Sequence, residues 1–109
     1  MDREAIRTTV KEWLSTLVAD QPDFAWLECA QLTAEPAFLV DAQTKEGDDY
    51  KAGAVTVVVT MDRTPSSDEV EKLYDTVVGD RTLGNRVKRA HFERPRDERQ
   101  AGTIVVIPL

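Results

Sequence analysis

The chain has 109 residues, of which 41% are hydrophobic and 31% charged, and its formal net charge is -6. This composition is typical of one folded domain and argues against a disordered chain. One cysteine and one histidine exclude an intramolecular disulfide and a zinc site of the usual nitrogen and sulfur ligands, and the sequence shows neither a membrane-length apolar run nor a signal peptide.

The first eighteen residues predict an amphipathic helix. Asp2 is a candidate N-cap, and Pro22 disfavours helical geometry in the residue before it, so the helix is expected to end between residues 19 and 21. We expect the indole of Trp13 to belong to the core rather than to a ligand platform. The apolar stripe, at spacings of three and four, consists of Ile6, Val10, Trp13, Leu14, Leu17 and Val18.

Three strands are predicted next. The first spans residues 24–32, where Cys29 is expected to be a small buried hydrophobe. The second begins at Ala37 with the stretch FLVDAQT, and a turn at 45–49 leads into a third strand at 50–61. The run AVTVVVT at 54–60 is typical of a central strand covered on both faces or nearly so.

A second helix is predicted within residues 64–80. Ser66 and Glu69 form a capping box, and Gly79 is expected to end the helix in a left-handed conformation. Its apolar positions are Val70, Leu73, Tyr74, Val77 and Val78. Strands at 86–93 and 103–107, joined by a polar turn at 94–102, complete the chain.

This order of elements predicts a single α+β domain over residues 1–109. We expect two layers: one mixed, mainly antiparallel sheet of about four to five strands, with two amphipathic helices on one of its faces. The other face must then either carry polar side chains or be covered by a partner. If it is apolar, oligomerisation follows.

Charge is unevenly distributed along the chain. Residues 1–80 hold seven Lys/Arg and seventeen Asp/Glu, whereas residues 81–99 hold seven Lys/Arg and three Asp/Glu. The simplest interpretation of this basic segment is a solvent-exposed strand and turn. A more specific interpretation is that basic and acidic faces of different copies of the chain are complementary. Nucleic-acid binding is the third, because Phe92 is the only aromatic residue in the segment.

No catalytic constellation emerges from the residues. His91 is the only histidine, and it lies on a predicted strand without a nucleophile beside it in the sequence. The five glycines match neither phosphate-binding motif. We therefore expect neither enzymatic activity, nor a cofactor, nor a metal site.

The stretch RTLGNRVKRAHFE at 81–93 follows the second helix and precedes a turn and a final apolar strand. It resembles the C-terminal part of tail terminator proteins of long-tailed bacteriophages, where a TLGG-hydrophobic step after the second helix leads into a strand. The order of elements and the length are similar over nearly the full chain, and the sequence likeness covers residues 81–92. Asn85 stands where a second glycine is common, and asparagine tolerates left-handed geometry.

The resemblance implies a virion structural protein at the head–tail junction, assembled in the host cytoplasm. It implies a homo-oligomer, a hexameric ring, that caps the tail tube protein and offers a face to a head-closure or neck protein, while genomic DNA passes through the lumen without specific binding. The alternatives are another neck protein, such as a head-closure or tail-completion factor, and a non-virion adaptor module that binds proteins. The expected interface lies in the hairpin 45–50, the loop 81–85 and the turn 94–99, at Lys45, Glu46, Asp48, Asp49, Tyr50, Arg81, Leu83, Asn85, Arg94, Arg96 and Arg99.

Overall fold

The structure, a computed structural model, describes residues 3–36, 54–80 and 83–108. The elements in chain order are helix α1 (Arg3–Asp20), a 3-10 helix (Pro22–Cys29), and strands β1 (Gln31–Pro36) and β2 (Val55–Thr60), then helix α2 (Ser67–Gly79) and strands β3 (Val87–Glu93) and β4 (Gln100–Pro108). The four strands form one sheet in the order β1-β2-β4-β3, and every pairing among them is antiparallel. The predicted α+β class is confirmed, with four strands in the described ranges.

Both helices pack on one face of this sheet, as predicted. The register places Val57 opposite Ile104, and Ile104 opposite Phe92, so these three side chains share the inner face. They join one buried cluster with the apolar stripes of the two helices. From α1 this cluster contains Ile6, Val10, Leu14 and Leu17, and from α2 it contains Leu73 and Val77.

The outer face of the sheet, which is the face away from the two helices, carries mostly polar side chains. The run AVTVVVT was predicted to form a central strand covered on both faces or nearly so. The strand β2 is central, but its burial alternates: Val55, Val57 and Val59 are buried, and the residues between them are half-buried because both helices lie on the other face. The outer face consists of Gln31, Thr33, Glu35, Thr56, Val58, Thr60, Thr103, Val105, Ile107, Arg89, His91 and Glu93.

Helix α1 confirms the predicted amphipathic helix and its end before Pro22. Trp13 packs against the core while remaining partly accessible, as expected for a core residue at the margin of the stripe. Asp2, the candidate N-cap, lies outside the described residues. So do the predicted strand from Ala37 and the turn at 45–49.

The predicted strand at 24–32 is wrong. Residues 22–29 form the 3-10 helix instead, and β1 starts only at Gln31. Pro22 occupies the first turn, where its missing N–H costs nothing, and Phe24 and Leu27, three residues apart, point to the core. Cys29 ends this helix and is exposed, which corrects the expectation of a buried residue.

Helix α2 begins with the predicted capping box. The Glu69 N–H donates to Ser66 Oγ over 3.2 Å, and the Ser66 N–H donates to Glu69 Oε1 over 2.9 Å. Its C-terminus differs from the prediction, because Gly79 is the last helical residue and has no positive φ. Asp80, in an extended conformation, ends the helix, and its N–H donates to the carbonyls of Thr76 and Val77.

The remaining strands agree with the sequence patterns in position. β3 starts one residue later than predicted, and β4 starts at Gln100, three residues earlier, so the connecting turn is shorter than expected. The third strand was predicted at 50–61, and within its described part, 54–61, the observed strand β2 is shorter at each end. Ala54 and Met61 lie outside it. Met61 nevertheless extends the contact, since its N–H donates to the Arg99 carbonyl over 2.8 Å.

The capping box leads to a prediction on acid stability. Arg63 donates to both oxygens of Glu69, and chiefly this hydrogen bonding lowers the pKa of Glu69 to about 2. The folded state therefore keeps the carboxylate charged below pH 4.5, where the unfolded state takes up a proton, so this stabilisation is present above pH 4.5 and is lost as the pH falls towards 2. In Glu69→Gln we expect a loss of about 1 kcal/mol at pH 7 that disappears at pH 2.

Thermal unfolding followed by circular dichroism at both pH values measures this difference. Asp68→Asn, on the adjacent exposed position of the same first turn, is the matched control and should behave like the wild type at both values. An equal loss for Glu69→Gln at pH 7 and pH 2 would contradict the assigned role of the charge.

Candidate assembly surfaces

The loop between α2 and β3 has an unusual backbone. Three consecutive residues have positive φ: Leu83 at 45°, Gly84 at 77° and Asn85 at 64°. Glycine and asparagine tolerate this region, but for leucine it costs about 1–2 kcal/mol. Leu83 is fully buried in the core, whereas Gly84 and Asn85 are exposed. The buried side chain of Leu83 thus anchors a loop whose next two residues are exposed.

One carboxylate ties this loop to helix α1. Asp80 Oδ2 accepts a hydrogen bond from Trp13 Nε1 over 2.6 Å, and Asp80 Oδ1 accepts one from the Leu83 N–H over 2.9 Å. A charge-assisted acceptor is stronger than a neutral one. Asp80 therefore links the end of α2, the left-handed loop and the middle of α1.

The basic segment at 81–99 is partly neutralised within its own chain. Arg86 Nη1 lies 2.6 Å from a carboxylate oxygen of Glu12 on α1, and Arg94 Nη1 lies 2.7 Å from one of Glu71 on α2. The Arg94 guanidinium also stacks over Tyr74, at 4.3 Å from the ring centroid. The hydrogen bond from Arg94 lowers the pKa of Glu71. These pairs are exposed, so each adds little stability, but together they orient the segment over both helices.

Three bases of the segment form no ion pair among the described residues: Arg99, in the turn before β4, and Lys88 and Arg89. Lys88 and Arg89 are exposed on β3, where the register shifts between Val87 and Arg89. His91, further along the same strand, is exposed too. The sequence placed Lys88 and Arg89 in the basic segment but did not single them out, because no local pattern tells a paired arginine from an unpaired one.

The opposite edge of the sheet carries acids. Glu28, at the end of the 3-10 helix, and Glu35, on β1, are exposed and have no cationic partner among the described residues. A groove of about 620 Å³ runs between α1 and this edge. Leu14, Leu27 and Leu32 are among its apolar lining residues.

Charged residues also line that groove on its helical side. Arg7 and Lys11 project from α1, and the Arg7 guanidinium is held by Glu4 at 2.8 Å. The groove therefore combines an apolar floor with charge of both signs on its rim. Such a site suits an extended or helical protein segment better than a small anion.

The predicted interface residues have different outcomes. Leu83 is wrong as a surface contact, because its side chain is fully buried and serves as the anchor of the loop. Asn85, Arg94, Arg96 and Arg99 are exposed, with Arg94 bound to Glu71 and Arg96 lying 3.7 Å from Glu93. The structure does not bring these four together into one patch with a shared contact. The remaining predicted residues, Lys45, Glu46, Asp48, Asp49, Tyr50 and Arg81, lie outside the described residues.

The described residues show neither a metal-binding cluster nor a membrane-spanning helix. In the ranges 3–36, 54–80 and 83–108, no group of three or more His, Cys, Asp or Glu residues is arranged to hold a metal ion. Within the same ranges, no helix is both long and apolar enough to cross a membrane. Comparison of the chain with protein-family models, curated proteins and solved structures found no match.

Proposed function

We propose that this chain is a structural subunit of a long-tailed phage, a tail terminator that forms a hexameric ring on the tail tube and joins it to the neck. The observation that carries the proposal is the loop at 83–86. Leu83, Gly84 and Asn85, which belong to the TLGN step on which the resemblance rests, form a left-handed turn that is anchored at Leu83 and Asp80. Loops held rigidly on a scaffold are common sites of recognition.

The distribution of charge supports the same proposal. Subunits of a ring meet through heterologous interfaces, so each subunit needs two different and complementary surfaces. Here charges of opposite sign, unpaired among the described residues, lie at the two edges of one sheet: Lys88 and Arg89 on β3, and Glu35 on β1 with Glu28 just before that strand. In this role the protein performs no chemistry. The net charge of -6 is compatible with a lumen through which DNA slides without binding.

The assembly state tests this proposal. The purified chain, alone or with the tail tube protein, should give rings in negative stain and a native mass of about 73 kDa, six times the 12.2 kDa of one chain. Added to polymerising tube protein, it should cap the tubes and limit their length. A monomer in both situations, at concentrations up to 100-fold above those of the tube assay, would contradict the proposal.

Binding partners separate the proposal from its nearest rival, another neck protein. A head-closure or tail-completion factor would bind head or neck components and leave tube length unchanged. The terminator should co-sediment with tube ends. Both assays use the full chain and need no activity readout.

A monomeric adaptor is the second candidate, and the groove between α1 and β1 favours it. A recess of about 620 Å³ with a leucine-rich floor can hold a short segment of a partner protein. A stable monomer that binds such a segment would favour this function over the ring. Binding should be lost in Leu32→Asp but kept in Val78→Asp, which lies on α2. Val78 is a suitable control because its side chain is 41% exposed.

A further inference from the structure

The two edge strands of the described sheet differ in the sign of the charge that they carry. Among the described strands, β1 and β3 form the two edges of the sheet, with β2 and β4 between them. Lys88 and Arg89 project from β3, and Glu28 and Glu35 lie at the β1 edge. None of these four side chains forms an ion pair among the described residues. Within the ranges that the structure describes, both sets of charges therefore face solvent, although they are complementary.

Most other bases of the described residues are already paired. Arg63, Lys72, Arg86 and Arg94 each lie within 2.6–2.8 Å of a carboxylate oxygen of the same chain. Lys88 and Arg89 differ from them in position, because β3 is an edge strand and its outward side has no described element beside it. A partner that approaches this edge meets two free cations.

The backbone at both edges disfavours continuous strand pairing between copies. Pro36 ends β1 without an N–H to donate, and β3 carries a register shift between Val87 and Arg89. Proline, bulges and charged side chains are devices by which edge strands avoid open-ended sheet extension. A contact between the two edges must therefore be made by side chains, which favours a closed assembly over a growing sheet.

We propose that the β3 edge of one copy binds the β1 edge of the next copy, with Lys88 and Arg89 facing Glu28 and Glu35. This inference rests on the proposed ring and names the surfaces that build it. Because the two edges differ, the contact is heterologous, and repeating it around an axis closes a ring. The groove beside β1 adds a concave surface with an apolar floor, which a purely charged contact would lack.

Helix α2 offers an acidic surface as well, but it is less suitable. Asp68 and Asp75 are exposed there without an ion pair among the described residues. However, α2 packs on β3 and β4 of its own chain, so it lies at the same edge of the sheet as Lys88 and Arg89, on the face opposite Arg89. The β1 edge lies across the sheet from them, where a head-to-tail contact requires its second surface. Asp68 and Asp75 thus provide a matched control.

Charge reversal tests the pairing. Lys88→Glu/Arg89→Glu and Glu28→Lys/Glu35→Lys should each weaken assembly by more than about tenfold in the concentration of half-assembly, because like charges then face each other. Asp68→Lys/Asp75→Lys makes the same change in net charge as the second variant and should assemble like the wild type. Analytical ultracentrifugation measures assembly, and circular dichroism checks that each variant is folded.

An equimolar mixture of the two disrupted variants gives the decisive result. At every interface of an alternating ring, a positive edge again meets a negative one, so the mixture should recover the ring. If the mixture stays dissociated, or if both variants assemble like the wild type, the pairing of these edges is wrong while the ring itself stands. A wild-type chain that is monomeric alone and with the tube protein overturns the proposed function instead.

Discussion

Substitution of Gly102 by alanine should destabilise the fold by about 3 kcal/mol or more, because overpacking of a filled core forces rotamers and backbone to shift. Gly102 lies on β4 with a φ of 157°, which residues with a side chain rarely adopt. A Cβ at this position would overlap the ring of Phe92, which lies directly over the glycine. Neither residue has room to move, since Phe92 is itself 1% exposed and contacts Tyr74 edge-on at 5.7 Å.

Urea unfolding followed by circular dichroism measures this loss. Gly79→Ala is the matched control: a Cβ there meets nothing within 4 Å, and alanine in a helix is favoured over glycine by up to about 1 kcal/mol. The double variant Phe92→Ala/Gly102→Ala should lose less than the sum of its single variants, because removing the ring removes the overlap. Strict additivity would show that the ring is not the cause.

The second large effect is expected at Asp80. In Asp80→Ala, the Trp13 indole N–H and the Leu83 amide N–H both lose their acceptor in a partly buried environment. Each unsatisfied donor costs about 1–3 kcal/mol, so a total loss of about 2–6 kcal/mol is expected. The amide of Leu83 should also exchange faster with solvent, because the left-handed loop loses its tie to the helix.

A double-mutant cycle with Trp13→Phe assigns this loss. The single change Trp13→Phe removes one donor and leaves Leu83 bonded, so it should cost less than Asp80→Ala. In the Asp80→Ala background, Trp13→Phe should cost less again, because the indole no longer has a partner there. An unchanged exchange rate for Leu83 in Asp80→Ala would show that the carboxylate does not hold the loop.

The helices were the most predictable part of the fold. Period and capping both act within a few residues of sequence, so Ser66 and Glu69 could be recognised without any tertiary information. The α+β class followed from the same local patterns. So did a sheet of about four to five strands, but the alternation of burial along β2 did not, because it depends on where both helices pack.

The errors have specific physical causes. The segment after Pro22 mixes aromatic and aliphatic residues, which favours a strand by composition, yet a proline in the first turn and Phe24 and Leu27 at a spacing of three suit a 3-10 helix. Gly79 was expected to adopt a left-handed conformation at the end of α2. The carboxylate of Asp80 favours an extended conformation at this point instead, because it accepts hydrogen bonds from residues that precede and follow it in the sequence.

The candidate surfaces were predictable only in outline. The charge asymmetry of residues 81–99 is visible in the sequence, but the partners of Arg86 and Arg94 lie 74 and 23 residues away. Only the fold shows which bases are already neutralised and which are left over. Leu83 illustrates the converse, since a residue in a surface loop motif is buried because its backbone turns the side chain inwards.

The exposed position of Cys29 has a practical consequence. It is the only cysteine of the chain, and it ends the 3-10 helix beside Glu28. A maleimide fluorophore therefore attaches at one defined point, without engineering and without competing thiols. Because that point adjoins the β1 edge, the emission of the dye reports directly on what approaches this side of the molecule, in real time and at nanomolar concentrations of protein.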